Sequence, residues 1–175
     1  MQSLAAFTGA DYRTPGALDY VSFLRATQLC TNDVREMGAA FKRAVFNVAF
    51  NNRDDHPKNF AYIMAPDGHW RLAPAYDVTF CEGPRGYHQM DVMGEALAIS
   101  RTHMLRLAEE AEMPQDDADM MIDGICEVAG QFAVIAEGMY PQMIARDTLR
   151  TIQRRIDENV EQLRQGLGGR GRHRE

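Results

Sequence analysis

The sequence predicts a mainly α-helical domain that contains one small β-hairpin. Apolar residues recur at helical spacing over long stretches, as in residues 34–48 and 149–163. Residues 60–73, by contrast, form two short segments rich in aromatic and branched side chains, separated by a Pro-Asp-Gly turn signal. The length of 175 residues fits one domain with an ordinary hydrophobic core.

The first part of the chain is expected to supply two helices. Residues 1–17 are predicted to form a capped or irregular entry, because the stretch GADYRTPG is rich in turn-forming residues. Apolar positions at helical spacing predict a helix over residues 18–29. A second helix is expected over residues 33–50, where Asp33 followed by Glu36 resembles a capping box. This second helix leads directly into the polar stretch NNRDDHPKNF.

A β-hairpin is expected directly after this polar stretch. Its predicted strands are residues 60–64 and 70–73, and the turn is centred near Asp67. Folding the chain about this turn places Asn59 and Asp77 at the same open end of the hairpin. Side chains at directly opposed strand positions have Cβ atoms about 4.5–5.5 Å apart, so the two residues are expected to lie close together.

The rest of the chain is predicted to be helical after one loop. Residues 81–94 are punctuated by glycine and are predicted to form an exposed loop. Residues 1–166 are assigned to the domain, and the basic, glycine-rich tail at 167–175 is predicted to be disordered. Three further helices are expected near residues 101–112, 116–138 and 141–165.

Composition and charge exclude several classes of protein. The net charge of −6 argues against direct binding of nucleic acid, which needs a basic surface. No apolar run approaches the roughly 18 residues that a membrane span needs, and charged residues near the N-terminus exclude a signal peptide. A reducing, cytoplasmic setting is expected because the cysteines have neither zinc-ligand nor disulfide-framework spacing. These cysteines are Cys30, Cys81 and Cys126.

The polar residues around the hairpin form the candidate functional site. An amide oxygen and a carboxylate at one end of a hairpin can share a hard cation such as Mg²⁺, which often completes its shell with waters and substrate phosphates. We therefore expect Asn59 and Asp77 to be metal ligands. Asp54 is placed to accept a proton, and Lys58 supplies positive charge beside a bound anion. A base, an amide ligand five residues later and a downstream acidic ligand are typical of phosphoryl transfer.

Other interpretations of these residues remain open. Asp55 competes with Asp54 for the role of base, and the five-residue offset to the amide ligand favours Asp54. His56 is expected to order the loop rather than to carry a proton. Lys58 either contacts a phosphate or is a solvated charge. His88 has no evident partner in the sequence and is predicted to lie on the surface.

Two linked motifs resemble a known family. FNVAFNNRDDHPKNF followed by WRLAPAYDV resembles the catalytic core of HipA-like kinases, the serine/threonine kinases of bacterial toxin–antitoxin modules. The family pattern is roughly N-x-D-x-H-x-K-N, then L-x-P-x-Y-D. The segments MQSLAAFTGADYRTPG and YHQMDVMGE also resemble the family, so the similarity spans nearly the whole chain. The residues that match the pattern are Asn52, Asp54, His56, Lys58, Asn59, Leu72, Pro74, Tyr76 and Asp77.

The resemblance implies a protein-kinase-like C-terminal lobe, with the hairpin carrying the catalytic and metal-binding loops. By position, Asp54 matches the catalytic base of the family, and Asn59 and Asp77 match its magnesium ligands. The implied activity is transfer of a phosphoryl group from ATP, with Mg²⁺, to serine or threonine of a protein. The family's targets include components of translation, and a small DNA-binding antitoxin is the usual partner.

One departure from the family concerns the nucleotide-binding N-lobe, which precedes these motifs in the family's kinases. Residues before Asp54 contain neither a glycine-rich phosphate loop after a strand nor a strand lysine. The chain is therefore expected to be the C-terminal lobe alone and to be inactive without that lobe. Two other functions remain open. One is a non-catalytic lobe that binds substrate or antitoxin, and the other is a metal-dependent phosphohydrolase, which would need a third or fourth carboxylate or histidine ligand.

Overall fold

The computed structural model describes residues 1–165, so the predicted tail at 167–175 lies outside the described residues. The described part is mainly helical, as predicted, and contains a small three-stranded sheet. None of its helices is long and apolar enough to cross a membrane. The strands and helices in chain order are β1 (Gln2–Ser3), α1 (Leu4–Thr8), α2 (Tyr20–Thr31), α3 (Val34–Ala49), β2 (Ala61–Met64), β3 (Trp70–Leu72), α4 (Arg101–Glu110), α5 (Gln115–Ala129), α6 (Phe132–Met139) and α7 (Arg146–Arg164).

The third strand of the sheet comes from the N-terminus of the chain. β1 pairs antiparallel with β2, with Gln2 opposite Tyr62, and the N–H of Leu4 donates to the carbonyl of Phe60 at 2.8 Å. The prediction of a capped or irregular entry over residues 1–17 is therefore wrong for residues 2–8, which form β1 and α1. A two-residue strand is too short to show alternation, so only its pairing with a distant strand defines it.

The hairpin confirms the predicted register. β2 and β3 are antiparallel, with Tyr62 opposite Leu72, which centres the turn on Asp67 as expected. Gly68 adopts a φ of +85°, in the left-handed region that glycine tolerates best. The Asp67 carboxylate accepts a hydrogen bond from the N–H of His69 at 3.0 Å, which closes the turn.

Helix α3 begins and ends close to its predicted limits, but Glu36 does not complete a capping box. Asp33 is the N-cap residue, and its carboxylate accepts a hydrogen bond from the N–H of Arg35 at 2.8 Å. The Glu36 carboxylate instead accepts a hydrogen bond from the N–H of Leu72 at 2.9 Å. Glu36 therefore ties α3 to the edge strand β3, a tertiary role that local spacing does not reveal.

The single helix predicted over residues 116–138 is two helices. α5 ends before Gly130, and Gln131 has non-helical backbone angles. Gln153 of α7 bridges the break, since its side chain accepts a hydrogen bond from the N–H of Ala133 at 2.8 Å and donates one to the carbonyl of Ala129 at 3.1 Å. Glycine weakens the helix at this point, and Gln153 satisfies backbone groups on both sides.

The loop over residues 81–94 is less exposed than predicted. Met90 and Val92 are fully buried and belong to the hydrophobic core. The carbonyl of Asp91 accepts a hydrogen bond from the N–H of Tyr20 at 3.0 Å, which fastens the loop to the start of α2. The glycines of this segment signalled turns correctly, but its apolar residues are part of the core.

Helix α3 lies at the centre of the domain, where it packs against α2, α5 and α7. An aromatic cluster joins this core to the candidate site. The rings of Phe23 and Phe60 have centroids 4.4 Å apart, and Tyr20 packs edge-on against Phe60 at 6.1 Å. All three side chains are fully buried. Since Phe60 follows Asn59 directly, the buried cluster fixes the backbone on one side of the site.

Because of the buried hydroxyl of Tyr62, the free energy of unfolding is expected to depend on pH in the alkaline range. It lies 3.0 Å from Oγ1 of Thr27, and burial raises the pKa of Tyr62 from 10.0 to about 12. The folded state therefore keeps a proton that the unfolded chain loses first. This contribution is complete below about pH 10 and is lost as the pH rises toward 12. Tyr62→Phe should flatten the decrease in the free energy of unfolding across that range, measured by urea titration at successive pH values.

The matched control for this prediction is Tyr87→Phe, because Tyr87 is 48% exposed. This variant should retain the pH dependence of the unchanged chain. An equal pH dependence in Tyr62→Phe and in the unchanged chain would contradict the prediction.

Candidate active site

The polar loop after α3 is fastened at its start to the segment around Cys81. Asn51 adopts the left-handed conformation, with a φ of 56°. Its carbonyl accepts a hydrogen bond from the N–H of Cys81 at 3.0 Å, and its side chain donates one to the carbonyl of Cys81 at 3.1 Å. Asn159 of α7 donates to the side-chain oxygen of Asn51 at 3.2 Å. The loop therefore leaves the helix in a direction set by two distant segments.

Asp55 lies at the centre of a buried hydrogen-bond network. Its side chain is fully buried, and it accepts hydrogen bonds from the Tyr20 hydroxyl at 2.7 Å and the Gln89 N–H at 2.8 Å. Nδ1 of His88 lies 2.8 Å from its Oδ2. The prediction that His88 lies on the surface is wrong, because its side chain is only 2% exposed. A substrate hydroxyl has no access to Asp55, so this carboxylate is a structural group.

The network extends back to α3. Asn47 donates to the hydroxyl of Tyr20 at 3.0 Å and accepts a hydrogen bond from the side chain of Asn52 at 3.0 Å. Burial, followed by the negative charge of Asp55, raises the pKa of Tyr20 well above its ordinary value. The hydroxyl therefore keeps its proton and donates a hydrogen bond to Asp55, which holds the polar loop against α2.

Asp54 differs from its neighbour in accessibility. Its side chain is 43% exposed, and Oδ1 accepts a hydrogen bond from Nε2 of Gln89 at 2.9 Å. Nε2 of His56 lies 3.9 Å from the same oxygen. Among the described residues, none donates a hydrogen bond to Oδ2 of Asp54.

Asn59 is linked to the backbone of Asp54. It lies in a 3₁₀ turn formed by residues Pro57–Asn59 and is largely buried. Its Nδ2 donates to the carbonyl of Asp54 at 2.8 Å. With the nitrogen used in this way, the side-chain oxygen of Asn59 accepts no hydrogen bond from residues 1–165.

The segment that carries Asp77 lies beside this turn. The hydroxyl of Tyr76 donates a hydrogen bond to the carbonyl of Lys58, so the chains on both sides of the hairpin's open end meet there. Asp77 is exposed and has a φ of 52°. Left-handed conformations are uncommon for residues other than glycine and cluster at functional sites. The Asp77 carboxylate forms no hydrogen bond or ion pair with the described residues.

The side-chain oxygens of Asn59 and Asp77 are chemically suited to magnesium. Mg²⁺ prefers oxygen ligands and is commonly held by one or two carboxylates together with waters and substrate phosphates. The described part of the chain contains no group of three or more histidine, cysteine, aspartate or glutamate side chains that could hold a metal. The described residues therefore lack the fuller ligand set of a metal-dependent phosphohydrolase.

Tyr12 forms a platform for the cations of the site. Nζ of Lys58 lies 3.7 Å from the centroid of its ring, and the ring of His56 packs against it at 5.8 Å. The guanidinium of Arg13 lies 5.0 Å from the same centroid. A cation over an aromatic face is attracted by the ring quadrupole. Tyr12 therefore holds Lys58 in place without neutralising its charge.

Magnesium alone is expected to stabilise the chain very little. One amide oxygen and one carboxylate bind the ion weakly when no phosphate completes its shell. Millimolar MgCl₂ should therefore leave the thermal unfolding midpoint of the chain within about 1 °C of its value in EDTA, since stabilisation requires ion concentrations above Kd. A shift of several degrees at the same ionic strength would contradict a two-ligand site.

Comparison with known families gives the class of this domain. The chain belongs to the HipA-like C-terminal domain family, whose model matches residues 1–132. No curated protein matches the chain in sequence. Helix α7, which contacts the polar loop through Asn159, lies beyond the matched range.

Among solved structures, the chain is similar to HipA in the complex of HipA, HipB and operator DNA from the Shewanella oneidensis MR-1 toxin–antitoxin system. The TM-score is 0.70 and the sequence identity is 16%. The match covers 83% of this chain and 36% of that chain, so this chain spans little more than a third of the length of HipA. At this identity the similarity establishes the fold.

Proposed function

We propose that the chain is the C-terminal catalytic lobe of a protein serine/threonine kinase that transfers the γ-phosphoryl group of ATP with Mg²⁺. The observation that carries this proposal is the pairing of Asp54 with Asn59. One oxygen of Asp54 is held by Gln89 and the other accepts no hydrogen bond from the described residues. Asn59 is bonded to the Asp54 backbone at 2.8 Å. A proton acceptor and a metal ligand therefore share one rigid unit.

Each residue has a distinct task in this proposal. Asp54 accepts the proton of the serine or threonine hydroxyl as that hydroxyl attacks. Asn59 and Asp77 hold magnesium, which when bound neutralises charge on the phosphates. Lys58, held by Tyr12, supplies a further positive charge beside the transferred group. His56 packs against Tyr12 and orders the loop.

The other side of the nucleotide is proposed to be gripped by a separate N-lobe. The described residues before Asp54 are three helices and a two-residue strand, which contain no glycine-rich loop between a strand and a helix. We infer that the N-lobe is supplied either within the same polypeptide or by a second subunit. Alone, the chain should bind ATP weakly and transfer no phosphate.

The proposed partners follow from the family. The similar HipA was solved together with HipB and operator DNA. By analogy, we propose that this chain acts in the cytoplasm within a toxin–antitoxin module, with a DNA-binding antitoxin as partner and a protein, such as a component of translation, as substrate. The net charge of −6 favours contact with DNA through the antitoxin rather than directly.

A phosphotransfer assay tests the proposal. The chain is incubated with radiolabelled ATP, Mg²⁺ and cell extract, alone and joined to its N-lobe in one polypeptide or mixed with it. Label should enter protein serine or threonine only when both lobes are present, and EDTA should abolish the signal. If the two lobes together bind an antitoxin but transfer no phosphate, the chain is a non-catalytic binding lobe.

Metal dependence gives a separate prediction for Asn59 and Asp77. The protein that contains this chain together with its N-lobe is called the two-lobed protein below. In it, Asn59→Ala should raise the Mg²⁺ concentration for half-maximal activity by at least about ten-fold, since loss of a ligand weakens the site. Asp77→Ala should raise it further, because a negative charge is removed from the shell of the ion. The same Mg²⁺ dependence in both variants and the unchanged protein would contradict their role as ligands.

A further inference from the structure

Gln89 contacts both acids of the polar loop from a different part of the chain. Its Nε2 donates to Oδ1 of Asp54 at 2.9 Å, and its backbone N–H donates to Oδ1 of Asp55 at 2.8 Å. Its carbonyl accepts a hydrogen bond from the N–H of Gly16 at 2.9 Å. Gln89 is thus the residue through which the 81–94 segment reaches the proposed base.

The backbone of Gln89 is anchored without help from its side chain. The adjacent His88 is bonded to Asp55 through Nδ1, and its N–H donates to the carbonyl of Ala96 at 2.8 Å. On the other side, Met90 is fully buried in the core. These contacts fix the position of the loop, so the amide of Gln89 is presented to Asp54 from a rigid support.

Asp54, by contrast, lacks other constraints on its side chain. It is 43% exposed, and the contact with His56 is 3.9 Å long, which is beyond hydrogen-bond distance. An exposed carboxylate with no further partner would sample several rotamers. The hydrogen bond from Gln89 selects one of them, and it leaves Oδ2 without a donor among the described residues.

We propose that Gln89 is the positioning residue of the catalytic base, an inference that rests on the proposed kinase function. Its amide donates to one oxygen of Asp54 and turns the other toward the substrate hydroxyl. Hydrogen bonds to an ionised carboxylate are stronger than neutral ones. An amide does not titrate, so it orients Asp54 without competing for the substrate proton. Reacting groups must be held in a near-attack geometry for efficient transfer.

If the Gln89 side chain had a merely structural role, its loss would destabilise the fold. The structure gives a reason to expect otherwise. Asp55 already joins the 81–94 segment to the polar loop through His88 and the Gln89 backbone. Loss of the Gln89 amide should therefore leave the fold intact and affect turnover alone. Binding of ATP should also be unchanged, because Gln89 forms no hydrogen bond with Asn59, Asp77 or Lys58.

The test uses the two-lobed protein and two substitutions of similar shape. Gln89→Met removes the donor and should lower kcat about ten-fold, with the KM for ATP and the urea unfolding midpoint unchanged. Gln89→Glu places a second carboxylate beside Asp54 and should lower kcat further. Gln28→Met, at an exposed position of α2, is the matched control and should behave like the unchanged protein. An unchanged kcat in Gln89→Met, or a loss of stability that accompanies the loss of kcat, would overturn the positioning role.

A second measurement detects the contact without catalysis. The ¹H–¹⁵N signals of the Gln89 side-chain amide are recorded by NMR in this chain before and after Asp54→Ala. They should shift and exchange faster with solvent in the variant, while the Gln28 amide signals stay in place. Unchanged Gln89 signals would overturn the contact itself.

The two measurements separate the inference from the function on which it rests. If NMR shows the contact in this chain but the two-lobed protein transfers no phosphate, the proposed function is overturned, and with it the catalytic purpose of the contact. Transfer that Gln89→Met leaves at full rate would overturn the positioning role alone.

Discussion

Asp54→Ala is expected to lower the rate of phosphoryl transfer by the two-lobed protein by a factor on the order of 10²–10⁴, the usual contribution of a positioned general base. Oδ2 of the partly exposed Asp54 side chain has no donor among the described residues, whereas Oδ1 is held by Gln89. Removal of the carboxylate takes away the proposed proton acceptor. It breaks only one hydrogen bond, and that bond is partly exposed. The free energy of unfolding should therefore change by no more than about 1 kcal/mol. Initial rates at saturating ATP and urea titrations measure the two quantities.

The control for this variant is Asp67→Ala, which removes an exposed carboxylate from the hairpin turn far from the proposed base. It should retain full activity. The assignment of the base is wrong if the protein tolerates Asp54→Ala but loses activity in Asp55→Ala while remaining folded.

Asp55→Ala is expected to have the opposite effect, a large loss of stability. Its fully buried carboxylate accepts hydrogen bonds from Tyr20 and the Gln89 backbone and contacts His88. Truncation leaves these buried groups without their partner. Loss of one member of a buried charged network costs about 3–5 kcal/mol, a large share of the 5–15 kcal/mol that stabilises a typical domain. Urea denaturation of this chain, followed by circular dichroism, measures the change.

Asp55→Asn gives a graded comparison. It keeps the size of the side chain but loses one acceptor oxygen and the charge, so its loss of stability should be smaller than that of Asp55→Ala. A change of less than about 0.5 kcal/mol in the alanine variant, which is ordinary for a surface substitution, would contradict a structural role.

Of the two neighbouring acids, Asp54 is therefore expected to determine activity and Asp55 to determine stability. From the sequence, only the five-residue offset to Asn59 distinguished Asp54 from Asp55. The structure adds an independent physical reason, because burial closes Asp55 to any substrate while Asp54 stays exposed. Access to solvent depends on tertiary packing, which spacing along the chain does not report.

Local signals predicted the fold well where the structure itself is local. The N-cap at Asp33 and the turn at Asp67 were predicted because capping and turn chemistry involve residues only a few positions apart. β1 was missed because its two residues pair with a strand nearly sixty positions away. The break between α5 and α6 was missed because Gln153, from α7, supports it.

In the candidate site too, residues within short motifs were predicted, and residues that come from distant segments were missed. Asp54, Asn59, Asp77, Lys58 and His56 stand in two short motifs, and their proposed roles came from that spacing and from the family resemblance. The groups that orient them were not found in this way. Gln89, Tyr12 and Tyr20 approach from separate segments with no fixed spacing to the motifs. Two of them lie in segments that resemble the family, Tyr12 in MQSLAAFTGADYRTPG and Gln89 in YHQMDVMGE, but the resemblance carried no role for either residue.

We propose that Asn59 and Asp77 bind one metal ion that is also bound to the nucleotide, and that Asp54 faces the same space. A crystal structure of the two-lobed protein with a non-hydrolysable ATP analogue and Mn²⁺ in place of Mg²⁺ tests it most directly, since anomalous scattering locates the ion. We predict an ion bound by the side-chain oxygen of Asn59, a carboxylate oxygen of Asp77 and phosphate oxygens, with Oδ2 of Asp54 facing the γ-phosphoryl group. An ion bound elsewhere, or Asp77 directed to the opposite face from Asn59, would contradict the claim.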